Sequence, residues 1–194
     1  MRKIIVTGFE AFGGSETNAS WEAVRRMADV DAILLPVSFS RACAMIREIV
    51  SGRPEAVLCV GEAGNRDVIS VERVAINLMD ARIPDNDGCR PMDEPVCPGR
   101  PAAWFSTLPV REIRAAMRNA ELSLTAGTYV CNAVFYTLMD EISRNGADTA
   151  GGFIHVPAQR TAYESITAEL QKAVGCIRGH RAGRRFLAGN GRIW

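Results

Sequence analysis

Gly152-Phe153-Ile154-His155-Val156-Pro157 is an apolar run closed by a proline, with one imidazole near its end. It reads as a buried strand. A helical pattern from about 131 to 144, centred on Ala133-Val134-Phe135-Tyr136-Thr137-Leu138-Met139, precedes it, and a last helical pattern near 161–177 follows. A buried strand between two helices predicts a layered α/β arrangement. In such folds the C-terminal ends of the strands, where His155 stands, are where catalytic side chains are exposed.

The same alternation extends outward along the chain. A strand is expected near 3–7, a helix from about Ser20 to Ala28 with Ser20 as its N-cap, a strand near 32–36, a helix from about Phe39 to Ser51 and a strand at 56–60. A helix near 110–119 lies beyond a long span rich in Gly, Pro, Asp and Arg, from Gly61 to Pro109, which reads as functional loop. The prediction is a single-domain α/β/α sandwich around a mainly parallel central sheet, with room for a reversed strand that would make it mixed. The domain is expected to occupy residues 1–177, followed by a basic Gly/Arg-rich tail over 178–194.

Composition narrows the function classes. The 194 residues, 47% of them hydrophobic, suffice for one core. No apolar stretch approaches the roughly 20 residues needed to cross a bilayer, and Lys3-Ile4-Ile5-Val6 reads as a strand rather than a signal segment, so a cytoplasmic protein is expected. Six cysteines are scattered without a C-x-x-C pair, which speaks against a zinc site or a thioredoxin-type motif and for reduced thiols. Within Ala56-Val57-Leu58-Cys59-Val60, Cys59 reads as a small buried hydrophobe. Net charge is +1, but the tail from Arg178 to Trp194 holds five arginines and no acid, so the body is mildly acidic. The body has no basic face or RNA motif, and the tail reads as a solvated terminus rather than a nucleic-acid site.

The segment Thr125-Ala126-Gly127-Thr128-Tyr129-Val130-Cys131-Asn132 runs straight into the helical pattern that starts near 131. It places a thiol at a helix N-terminus, where unpaired N–H groups and the helix dipole favour a thiolate. A nucleophilic thiol needs a base, and the chain has only two histidines, His155 and His180. His180 lies in the arginine-rich tail, which leaves His155. Within the long span, Asp80-Ala81-Arg82-Ile83-Pro84-Asp85-Asn86-Asp87-Gly88 offers Arg82 to stabilise developing negative charge. The turn Thr7-Gly8-Phe9-Glu10-Ala11-Phe12-Gly13-Gly14 matches neither a P-loop nor a dinucleotide fingerprint. Its phenylalanines, Phe9 and Phe12, suit a small apolar pocket, or else plug the loop onto the core. Taken singly, Cys131, His155 and Glu72 each also fit a purely structural role.

Taken together, the motifs resemble one family. They are Gly8-Phe9-Glu10-Ala11-Phe12-Gly13-Gly14, Asn18-Ala19-Ser20-Trp21-Glu22, Gly61-Glu62-Ala63-Gly64-Asn65-Arg66, Glu72-Arg73-Val74-Ala75-Ile76-Asn77, the segments around Asp80–Asn86 and Ala126–Asn132, and the strand ending in His155-Val156-Pro157. In this order, from about residue 2 to about 177, the chain resembles pyroglutamyl peptidase I. The resemblance implies a cysteine peptidase that removes an N-terminal pyroglutamyl residue from peptides through a thioester, with Cys131 as nucleophile, His155 as base and Glu72 as orienting carboxylate. It implies Arg82 in support of the oxyanion, a lactam slot formed by Phe9, Phe12, Glu62, Tyr129 and Val130, a cytoplasmic location and a dimer or tetramer. The chemistry asks for no metal or organic cofactor.

The chain also departs from the family pattern. Glu62 stands where the family more often has Gln, and a carboxylate accepts from a lactam N–H but does not donate to its carbonyl. Asn65 replaces a glycine, Ala19 a proline and Ala133 a histidine. The connection after Pro157, Ala158-Gln159-Arg160, is shorter than is usual. These departures frame the alternative of a catalytically weakened pyroglutamyl-peptide-binding homologue. A different hydrolase on the same architecture is the further alternative.

Overall fold

The computed structural model describes residues 3–145, 148–158 and 162–180. In chain order its elements are β1 (Ile4–Phe9), α1 (Ala19–Val24), β2 (Asp31–Leu35), α2 (Phe39–Ser51), β3 (Ala56–Ala63), β4 (Ile69–Glu72) and β5 (Val74–Ile76). They continue with β6 (Ala103–Phe105), α3 (Val110–Ala116), β7 (Ala120–Ser123), α4 (Val130–Asn145), β8 (Ala150–Pro157) and α5 (Tyr163–Gly179). Six strands form one sheet in the order β2-β1-β3-β8-β4-β7. Every neighbouring pair is parallel except β8 and β4, so the sheet is mixed at one seam.

Helices cover both faces. Against one, α2 and α4 close a core that includes Phe9, Leu35, Val57, Phe135 and Phe153. Against the other, α1, α3 and α5 close a core that includes Val6, Leu58, Ile113, Ile154 and Leu170. The central strands β3 and β8 are apolar on both sides, as the run 152–156 predicts for a strand sandwiched between helices. The buried positions of α2, Phe39, Ala42, Cys43, Ile46 and Val50, recur at helical spacing on one stripe. By contrast, α4 is buried almost all round over its first thirteen residues, because the sheet, α2 and the β5–β6 hairpin enclose it.

Two expectations are corrected. The N-cap of α1 is Asn18, not Ser20: the Asn18 side chain accepts from Ser20 N at 3.0 Å. The Ser20 hydroxyl instead accepts from Phe9 N at 2.9 Å and donates to Asn18 at 2.7 Å, a tertiary tie that local sequence does not reveal. The span 61–109 is not simply loop, since it supplies β4, β5 and β6. The four residues of β4 are all buried, yet Ser70 and Glu72 alternate with Ile69 and Val71, so no apolar run announces the strand. Strand β7 likewise alternates, with Glu121 and Ser123 polar, and shows no apolar run.

Helix α5 runs on to Gly179, two residues beyond position 177. Residues 181–194 of the basic tail, and 159–161 of the short connection after Pro157, lie outside the described residues. Among the described residues no helix is long and apolar enough to cross a membrane.

Candidate active site

Cys131 is the second residue of α4. The loop that delivers it is tied from several sides. Ser123 Oγ donates to Thr125 O at 3.1 Å, and Gly127, at φ +77°, takes the left-handed turn that glycine tolerates best. Thr128 exchanges two bonds with Asp80, its hydroxyl donating to Asp80 O at 2.8 Å and its carbonyl accepting from Asp80 N at 3.0 Å. The next residue after the thiol, Asn132, is fully buried. Its side chain accepts from Ile76 N at 3.0 Å and donates to Ile76 O and Leu78 O at 2.9 Å each. The helix start is thereby bolted to the β5 strand, so Cys131 has little freedom to drift.

His155 and Glu72 come from the antiparallel seam. Glu72 on β4 stands opposite Phe153 on β8, so Glu72, Phe153 and His155 project from one face as diagonal neighbours. His155 Nδ1 lies 2.8 Å from Glu72 Oε1, with both side chains buried. The same Oε1 receives Nη1 of Arg66 at 2.5 Å. On the other side of β8, Gly61 of β3 is the ladder partner of His155. A side chain at Gly61 would place its Cβ 2.8 Å from both Cys131 Sγ and Phe153 Cζ, so the thiol rests against the bare backbone beside the imidazole strand. The thiol thus abuts the β3 residue that pairs with His155, and Glu72 occupies Nδ1 of the imidazole, leaving Nε2 as its other nitrogen.

In front of the thiol a cavity of some 300 Å³, counting its open mouth, is lined by Phe9, Phe12, Val37, Tyr129 and Val130, with Asn18 and Glu62 as its polar groups. Tyr129 packs edge-on against Phe39 and is pinned by its hydroxyl, which donates to Pro84 O at 2.9 Å. Glu62 is held by Ala19 N at the start of α1, 2.6 Å from its Oε2. The lining is thus mostly apolar with one fixed carboxylate.

Electrostatics overturn one expectation. The helix start does not make Cys131 a resting thiolate: burial, and then the charge of Glu72, push the thiol up to about 12, against a smaller opposing effect of Arg66. Desolvation outweighs the dipole. At neutral pH Cys131 is therefore a thiol.

The structure brings Cys131, His155 and Glu72 to one place and lines the adjoining pocket with Phe9, Phe12, Glu62, Tyr129 and Val130. It does not place Arg82 in the lining. Arg82 is exposed, on a loop whose flanking residues Asp80 and Pro84 bind Thr128 and Tyr129 at the pocket rim. Arg66, Asn132, Asn18 and Val37 carry site contacts that sequence reasoning missed. Only Asn132 had a local signal, a polar residue at a buried position of a helical pattern.

A sequence model of the pyroglutamyl peptidase family matches residues 2–174. The chain belongs to the pyroglutamyl peptidase family. Similar members include the pyrrolidone-carboxylate peptidase of Thermococcus kodakarensis, 51% identical over 166 residues that cover 80% of this chain and 81% of that one. That of Bacillus subtilis is 45% identical over 168 residues, covering 80% and 78%. The crystal structure of Bacillus amyloliquefaciens pyroglutamyl peptidase I superposes with a TM-score of 0.86 at 40% identity, over 93% of this chain and 98% of that one. The mixed sheet and flanking helices are therefore the pyroglutamyl peptidase fold, and the resemblance read from the motifs holds.

Proposed function

We propose that this protein is a cysteine peptidase, a hydrolase that removes the N-terminal pyroglutamyl residue from peptides, with Cys131, His155 and Glu72 as its catalytic residues. The observation that carries the reading is the coincidence, at one register point of the sheet, of a helix-start thiol and a histidine whose Nδ1 is held by a buried carboxylate. Membership of the family supports the substrate class.

The steps follow from the geometry. His155 Nε2 takes the Cys131 proton while Sγ bonds to the pyroglutamyl carbonyl carbon, and the carbonyl oxygen becomes an oxyanion. The Cys131 backbone N–H at the start of α4 stabilises that charge. As the C–N bond breaks, His155 returns its proton to the departing amine, leaving a thioester. Water then gives a proton to His155 and attacks the acyl carbon; the C–S bond breaks, the thiol is re-formed and free pyroglutamate leaves. Glu72 keeps the imidazole in the tautomer with the proton on Nδ1 and stabilises the imidazolium. Arg82, exposed on the rim loop, supports the oxyanion in this proposal only on the family resemblance.

Pyroglutamate is a neutral lactam, which suits an apolar slot of Phe9, Phe12, Tyr129 and Val130 with few polar groups. Glu62 accepts from the ring N–H. Peptides bearing this residue are the proposed partners, and a cytoplasmic homo-oligomer, dimer or tetramer, the proposed setting. The free state of all six cysteines suits a reducing compartment.

Hydrolysis of a pyroglutamyl coumarylamide under reducing conditions tests the reading, beside Cys131→Ala and the proline and alanine analogues of the substrate. Turnover of the lactam substrate alone, abolished in Cys131→Ala, is expected. Absence of turnover by the folded wild-type protein would turn the reading toward the pyroglutamyl-peptide-binding homologue.

A further inference from the structure

One charged side chain is built into the site without a part in the steps above. Arg66, on the loop between β3 and β4, reaches Glu72 Oε1 with Nη1 at 2.5 Å and Thr125 O with Nη2 at 2.8 Å. Glu72 Oε1 thus serves two donors, Arg66 and His155, while the buried Oε2 has no protein partner among the described residues. The Glu72 side chain is fully buried, whereas that of Arg66 is 20% exposed. A buried carboxylate is costly unless a cation and hydrogen bonds meet it, and Arg66 is the cation that does so here. Its second contact falls on the loop that leads into α4 and Cys131. One planar guanidinium therefore joins the strand carrying Glu72 to the segment carrying the nucleophile, a fork that a lysine ammonium does not reproduce.

We propose that Arg66 is a positioning residue that clamps Glu72 and the loop leading to Cys131 into one unit and offsets the buried carboxylate's charge. The inference rests on the peptidase reading above. Arg66 also acts on Cys131, opposing the effects of Glu72 and Cys59 on that thiol.

The test is kcat and KM for wild type, Arg66→Met and Arg66→Lys on a pyroglutamyl coumarylamide. Arg66→Met is expected to lower kcat by about 10- to 100-fold with KM nearly unchanged. Arg66→Lys should restore only part of kcat, because it keeps the charge and loses the fork. Should circular dichroism show that Arg66→Met does not fold, Arg66→Gln gives the same readout. If wild type turns over substrate and both variants match it, if Arg66→Lys matches either wild type or Arg66→Met, or if the loss falls on KM rather than kcat, the proposal is overturned. If wild type itself is inactive, it is the peptidase reading that fails.

Discussion

His155 Nδ1 and Glu72 Oε1 stand 2.8 Å apart across the one antiparallel seam of the sheet, both side chains buried. Reversal of β4 against β8 makes this contact, since it sets the carboxylate diagonal to the imidazole on the same face. Glu72→Gln preserves the shape but offers an amide where Nδ1–H needs an anion. A drop in kcat of about 10³- to 10⁴-fold is expected, with KM little changed. Steady-state kinetics check it, and a drop under tenfold would remove Glu72 from the mechanism.

Cys131 is held up to about 12 by burial and by Glu72, so the free protein carries a thiol at neutral pH. Alkylation of Cys131 by iodoacetamide, followed by mass spectrometry, should be slow at pH 7 and rise steadily into the alkaline range. A plateau of fast modification below pH 7 would instead mean a resting thiolate.

Cys59, fully buried, is likewise pushed up to about 12 by burial. A thiol raised above its ordinary value near 9 contributes stability that is fully present below 9 and is lost as pH climbs toward 12. About 1 kcal/mol per such thiol should be gone by pH 10. Urea denaturation at pH 8 and pH 10 measures the loss, and Cys59→Ala should remove that residue's share of it.

Gly61 has no room for a methyl group, because its Cβ would lie 2.8 Å from Cys131 Sγ and Phe153 Cζ. Gly61→Ala should cost about 1–3 kcal/mol of stability and, by displacing the thiol, about 10²-fold in kcat. Thermal unfolding and turnover on the same preparation report both.

Glu62 Oε2 accepts from Ala19 N, a role that a glutamine carbonyl can fill. Glu62→Gln keeps that bond and adds a donor for the lactam carbonyl. One extra hydrogen bond of about 1 kcal/mol would lower KM about fivefold at similar kcat. A raised KM would show that the acceptor lost to the ring N–H outweighs the donor gained.

Much of this was legible in the residue order. The apolar runs of β1, β3 and β8 and the periodic stripe of α2 declare themselves because strands covered on both sides and helices covered on one leave a hydrophobic signature. The Cys131 and His155 pair was legible as well, through the helix start and the scarcity of histidines. Strands β4 and β7 were not. Each is four residues long with polar side chains among its buried positions, and their burial is earned by partners far along the chain. Arg66 stands in a family motif, but its role was not legible for the same reason: its meaning lies in Glu72 and Thr125, which only folding brings to it.

The sequence by itself determined the α/β class and the family, and singled out Cys131 and His155 as the proposed nucleophile and base, since these rest on local periodicity and on motifs carried by contiguous residues. The tertiary structure alone decided the reversed seam that joins His155 to Glu72, the place of Arg66 beside them and of Arg82 at the rim, and the protonation of the thiol. Strand direction and desolvation are properties of what packs around a residue, and no neighbour in the chain encodes them.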